Sequence, residues 1–145
     1  LRPARPEEDA LDETRALLER ASEVWRRWGC PASGQCCQLA TTGREPWLWP
    51  TEWQVLREAL AAAGREVPAP RPDGGCRLLD AGGLRCSVYE ARPSGCRTYF
   101  CERAEGPVLP GQRTHEVLDG LTSVNVALDP GCEPRSITRW LSGPP

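Results

Sequence analysis

C-R-L-L-D-A-G-G-L-R-C-S-V-Y-E-A-R-P-S-G-C-R-T-Y-F-C, residues Cys76 to Cys101, sets four cysteines at intervals of ten, ten and five residues. Gly82, Gly83, Pro93 and Gly95 punctuate it too often for a long helix or strand, so each cysteine falls on a turn or a short element. Upstream, Cys30 to Cys37 reads C-P-A-S-G-Q-C-C, where a Pro, a Gly and two adjacent cysteines make a second tight loop. The two tracts read as two halves of one thiolate metal site. The fold expected around them is α+β and mostly helical with a short β-hairpin: one small irregular domain, residues 1–145, organised around a multi-cysteine metal centre.

Composition bounds what can surround such a centre. A chain of 145 residues can build one core but not two independent ones. Its aliphatic supply is thin, with a single Ile and a single Phe, yet the formal charge of −2 and six Trp argue against disorder. Eight Cys in so small a chain point to cross-links that take over part of the stabilisation. All 18 basic residues are Arg, which reads as coding bias. The near-neutral charge leaves no nucleic-acid footprint, and no apolar run is long enough to span a bilayer. Residues 1 to 20 are charged and show no secretory signal, although the chain begins at Leu rather than Met. A cytoplasmic protein without nucleic-acid or membrane partners is the expectation.

Helical periodicity marks the flanks. Pro6 to Trp28 reads as a helix, acidic at Glu7, Glu8, Asp9 and Asp12 and basic at Arg26 and Arg27. Its stripe runs Leu11, Leu17, Leu18, Ala21, Val24, Trp25 and Trp28, and Gly29 stops it to deliver Cys30. An extended W-L-W-P segment leads to a second helix, with Thr51 and Gln54 as a capping box and Trp53, Leu56 and Leu60 on its face, ending at Gly64. Arg65 to Gly75 is a Pro-rich connection whose flanks a metal site would clamp. Cys76–Leu79 and Leu84–Cys86 predict a hairpin across Asp80 to Gly83, and Ser87 to Arg92 a helical turn halted by Pro93. Thr114 to Leu128 is a third helix through Val117, Leu118, Leu121, Val124 and Leu128. A last one, Ser136 to Leu141, docks Trp140 on the body.

Eight cysteines can form disulfides, coordinate metal or lie inert. Adjacent Cys36 and Cys37 count against a simple disulfide framework, because each would need a different distant partner. Thiolates are soft ligands that suit zinc or iron–sulfur clusters. Neighbouring side chains diverge, so Cys36 and Cys37 do not share one tetrahedral ion without distortion; ligand counting then gives two zinc ions or a single multi-iron cluster. Such a centre is negatively charged, and Arg77, Arg85, Arg92 and Arg97 lie close enough in sequence to supply cations or N–H donors to sulfur, as an alternative to facing solvent. His115, the only His, opens a helix and is read as solvated. The run Trp25-Arg-Arg-Trp28 is read as an amphipathic helix end rather than a base-stacking platform. No phosphate-binding Gly loop, nucleophile elbow or H-E-x-x-H is present in the sequence.

The string C-S-V-Y-E-A-R-P-S-G-C-R, residues 86 to 97, resembles the C-S-I-Y-x-x-R-P-x-x-C-R signature of the YkgJ-like cysteine-cluster family, the zinc- or iron-chelating domains named for a C-x-x-C-x-x-C-C motif. The loop Cys30 to Cys37 resembles that motif, and Cys76 with Leu78 and Leu79 resembles the segment before the signature. The likeness spans about residues 30–101, and it implies a metal-binding domain of the bacterial cytoplasm. One departure is Ser33, which stands where the motif has its second cysteine. Either Cys132 completes the set, or the position is open to water or substrate as in catalytic zinc sites.

The reading is thus a metal-binding protein holding zinc or an iron–sulfur centre through Cys30, Cys36, Cys37, Cys76, Cys86, Cys96, Cys101 and Cys132, with Arg92 and Arg97 around it. Its role is structural or accessory, with an unknown protein partner allowed for. The alternative is an iron–sulfur or open-site metal enzyme or redox protein.

Overall fold

The computed structural model describes residues 6–25, 37–39, 43–83, 85–98 and 111–143. These are mostly helical with one short two-stranded antiparallel sheet. In chain order they form α1 (Pro6–Trp25), β1 (Trp47–Leu48), α2 (Pro50–Ala62), a 3-10 turn (Tyr89–Ala91), α3 (Ser94–Arg97), α4 (Gly111–Leu128), β2 (Arg135–Ser136) and α5 (Ile137–Leu141). No helix among the described residues is long and apolar enough to cross a membrane.

Helix α1 follows its sequence pattern: acidic residues open it, and Ala10, Leu17, Leu18 and Ala21 are buried on one side. That side packs along α4 through Val117, Leu121 and Val124. Gly120 brings the two helices close, since a Cβ there would lie 2.7 Å from Leu17 Cδ2. Helix α4 begins before the expected Thr114, and the expected face is narrower than read. Leu118 and Leu128 point outward, on a side of α4 away from α1, its main partner among the described residues. The expected residues Arg26 to Cys30, including the Trp25-Arg-Arg-Trp28 run, lie outside the described residues apart from the backbone of Trp25.

Helix α2 forms where expected, but its start is built differently. Thr51 and Gln54 do not cap one another. Glu52 instead takes the N–H of Trp49 at 2.8 Å, while Gln54 reaches Glu58 and Thr51 turns inward. There the Thr14 hydroxyl donates to Thr51 Oγ1 at 2.8 Å, Asn125 Nδ2 donates to the same oxygen at 2.9 Å, and the Thr51 N–H donates to Asn125 Oδ1 at 3.1 Å. Three helices are thus joined by one buried polar cluster whose groups are paired. Gly64 at φ 66° ends the helix in the left-handed region.

The predicted hairpin shrinks to a single bridge, Leu79 opposite Cys86, across a turn in which Gly83 takes φ 69°. Leu84 lies outside the described residues. The ladder of the fold is elsewhere: β1 pairs with β2, Trp47 opposite Ser136 and Leu48 opposite Arg135. A pairing so distant along the chain has no local turn to announce it. It carries α5 onto a second apolar cluster of Leu48, Leu56, Leu60, Cys76, Leu78, Val88, Ile137 and Leu141. As expected, Trp140 docks there, stacked on Trp53 with ring centroids 5.8 Å apart and donating Nε1–H to the Leu48 carbonyl at 3.0 Å. The Pro-rich connection is fastened by arginine forks: Arg71 donates to the Asp80 carbonyl and pairs with Asp73, and Arg77 donates to the carbonyls of Pro68 and Leu141.

Candidate metal centre

Three cysteines meet at the second apolar cluster. Cys76 is buried within it, and Cys37 and Cys86 pack half-buried against it. The Cys76 N–H donates to the Cys37 carbonyl at 2.6 Å, so the two cysteine tracts are stitched backbone to backbone. Cys86 is held by the Leu79 bridge, with the Ser87 N–H and hydroxyl both donating to the Leu78 carbonyl. Cys86 also lines an open groove of about 670 Å³ between α1, α2 and the 85–91 segment.

Cys96 sits half-buried on α3 and faces a cleft walled by Gly43, Pro46 and Trp47. Arg92 takes an extended conformation (φ −56°, ψ 139°) before Pro93, as a residue preceding proline should, and α3 starts afresh at Ser94. Cys132 lies in the turn after α4, where its N–H donates to the Asp129 carbonyl at 3.0 Å. Burial, and then the Asp129 carboxylate, push its thiol pKa up. His115 is exposed at the start of α4.

Cys30, Cys36, Cys101 and Ser33 lie outside the described residues. Among the described residues, no three His, Cys, Asp or Glu side chains form a group that could hold a metal ion. What the described chain supplies is soft sulfur side chains from both tracts, Cys37 with Cys76 and Cys86, packed at one core. That donor chemistry fits zinc or iron.

The four arginines near the cysteines are committed to oxygen and ring faces. Arg77 binds the two carbonyls named above. Arg85 and Arg92 flank the Tyr89 ring, at 4.9 and 3.6 Å from its centroid, and Arg92 Nε donates to the Tyr89 carbonyl. Arg97 donates to the carbonyls of Arg92, Leu18 and Glu90 and to Ser22 Oγ. Its pKa is lowered by burial and by Arg92, against the opposing pull of Glu19, Glu90 and the Cys96 thiol. The N–H groups of Arg97 thus tie α3 to α1.

Sequence reasoning missed Glu52, which is 1 % exposed. Its carboxylate accepts the N–H of Trp49 and the N–H of Ser94, each at 2.8 Å. Burial raises its pKa, opposed by its bonds to Ser94 and Trp49 and by the charge of Arg97. The signal was present: an acidic residue three places after a helix-entry residue is the second half of a capping box, here without the usual Ser or Thr at its start.

Among the described residues, Cys37 and Cys86 pack against the cluster that buries Cys76, so both cysteine tracts reach one core. The chain belongs to the CxxCxxCC family, described as "Putative zinc- or iron-chelating domain", whose pattern matches residues 29–115. No curated protein and no solved structure matches the chain.

Proposed function

We propose that the chain, as one domain over residues 1–145, binds zinc or iron through Cys30, Cys36, Cys37, Cys76, Cys86, Cys96, Cys101 and Cys132, as two zinc ions or one iron–sulfur centre. The role is structural or accessory, in a reducing compartment such as the bacterial cytoplasm, where thiolates persist. The observation that supports it most is the Cys76 to Cys37 backbone bond, which joins the two cysteine tracts at a cluster that also receives Cys86. Arg92 and Arg97 stand around the centre as a source of positive charge. Anaerobic purification, elemental analysis and a thiol count test it together. About two zinc per chain, or iron with sulfide and visible colour, is expected; intact disulfides without metal would overturn it.

A second reading is favoured by Cys132. Cys132 lies in the turn after α4, outside the matched residues 29–115. If Cys132 is not a ligand, the position of Ser33 is open to water or substrate, as a metal enzyme or redox protein would use. Metal content of Cys132→Ser separates the two: loss places Cys132 in the centre, full occupancy leaves it a spare thiol.

A further inference from the structure

We propose that Glu52 is the positioning residue for Cys96, an inference that rests on the reading of Cys96 as a ligand. Helix α3 is four residues long, too short to hold its own shape in water. Its N-cap residue is Pro93, which offers no side-chain acceptor. Glu52 supplies that acceptor from another helix. One carboxylate oxygen caps the start of α2 through Trp49, and the other takes the N–H of Ser94, the first residue of α3 and two before Cys96.

This bridge accounts for a buried Glu52. A capping-box glutamate needs one oxygen for its own helix and is ordinarily left in water. Here the side chain is taken out of water and both oxygens are engaged, a cost tolerated only where each is hydrogen-bonded. Two further attachments of α3 are seen among the described residues. Arg97 ties its far end to α1, and Gly95 rests on Pro46, where a Cβ would lie 3.0 Å from the proline Cβ. Glu52 holds the near end and so decides where the Cys96 thiol stands relative to Cys37, Cys76 and Cys86.

The test compares Glu52→Gln, Ser94→Ala and Asn125→Ala in the full chain. Glutamine keeps one acceptor oxygen and turns an NH2 toward the other N–H. Ser94→Ala removes only the hydroxyl that also bonds the carboxyl. Asn125→Ala loosens α2 at Thr51 without touching α3, and so controls for general destabilisation. The readout is the rate of iodoacetamide labelling of Cys96 relative to the rate of global unfolding, followed by hydrogen exchange in α4, which Glu52 does not hydrogen-bond. The ratio is expected to rise roughly tenfold in Glu52→Gln, the factor about 1.4 kcal/mol represents. It should rise less in Ser94→Ala and stay at the wild-type value in Asn125→Ala.

An unchanged ratio in both Glu52→Gln and Ser94→Ala, or an equal rise in Asn125→Ala, overturns the proposal. If Glu52→Gln does not fold, Ser94→Ala alone decides. Loading with cobalt(II) as probe adds a spectroscopic arm: Glu52→Gln should shift the thiolate–cobalt absorption of the wild-type chain and leave that of a Cys96→Ser chain unchanged. A wild-type chain that takes up no cobalt refutes the metal reading, while the labelling ratio still decides the role of Glu52.

Discussion

At the scale of single residues, the buried polar groups carry the tightest constraints. Asn125 satisfies the Thr51 N–H and hydroxyl oxygen and donates to the Leu121 carbonyl of its own helix. Asn125→Ala leaves the Thr51 N–H buried without an acceptor, and a loss of about 1–3 kcal/mol is expected in urea denaturation. Glu52 makes the opposite kind of prediction, about pH. Its folded-state pKa is raised by burial, so the unfolded chain releases the proton first. Its contribution to stability is whole below the ordinary glutamate value of 4.5 and declines as pH rises through the folded value. The charged group facing it is Arg97, from α3. The stability gap between wild type and Glu52→Gln, measured across pH, should therefore be widest in acid; a gap that grows toward neutrality would mean the charged form is the favoured one.

At the scale of elements, two glycines make opposite cases. Adding a methyl at Gly95 meets Pro46, whose ring is fixed to the backbone and cannot turn aside. Gly95→Ala is expected to cost about 1–3 kcal/mol and to lower bound metal, because α3 must shift with Cys96 on it. At Gly120 the methyl meets the end of Leu17, a side chain that can rotate. Alanine there also gains up to about 1 kcal/mol of helix propensity, so Gly120→Ala should stay within about 1 kcal/mol of wild type. Thermal melts of the two variants side by side would expose an error in either assignment.

At the scale of the whole molecule, the described residues hold two apolar clusters of different character. The α1–α4 cluster has no cysteine, whereas the cluster beneath β1, α2 and α5 includes Cys76 with Cys37 and Cys86 against it. Under the proposed function, the second cluster is the one that bound metal would support. Hydrogen exchange after chelation should show protection lost first across residues 76–98 and later in α1 and α4. Simultaneous loss everywhere would mean that the two clusters form one cooperative unit, and no loss at all that packing suffices without metal.

Much of this could be read along the chain because its causes are local. Helical period, acidic starts and glycine stops placed α1, α2, α4 and α5 within a few residues, and the signature from Cys86 to Arg97 pointed to the family. What failed depends on residues far apart in sequence. Leu118 and Leu128 keep a helical period but are exposed among the described residues. The hairpin is kept as the Leu79–Cys86 bridge, while the sheet forms between β1 and β2, since strand pairing is chosen by what the rest of the fold brings alongside. Arg77 and Arg97 bind carbonyls on other elements, an outcome that proximity to a cysteine in sequence does not reveal. Glu52 is the sharpest case: its place three residues into a helix gives it one N–H, and only the tertiary structure, by setting Ser94 against its second oxygen, makes it a buried bridge to the cysteine signature. The sequence by itself determined which residues could bind metal and which segments coil into helices, because thiolate chemistry and backbone periodicity are properties of short stretches. The tertiary structure decided which of those residues meet, because burial and hydrogen bonding between distant segments exist only once the helices have packed.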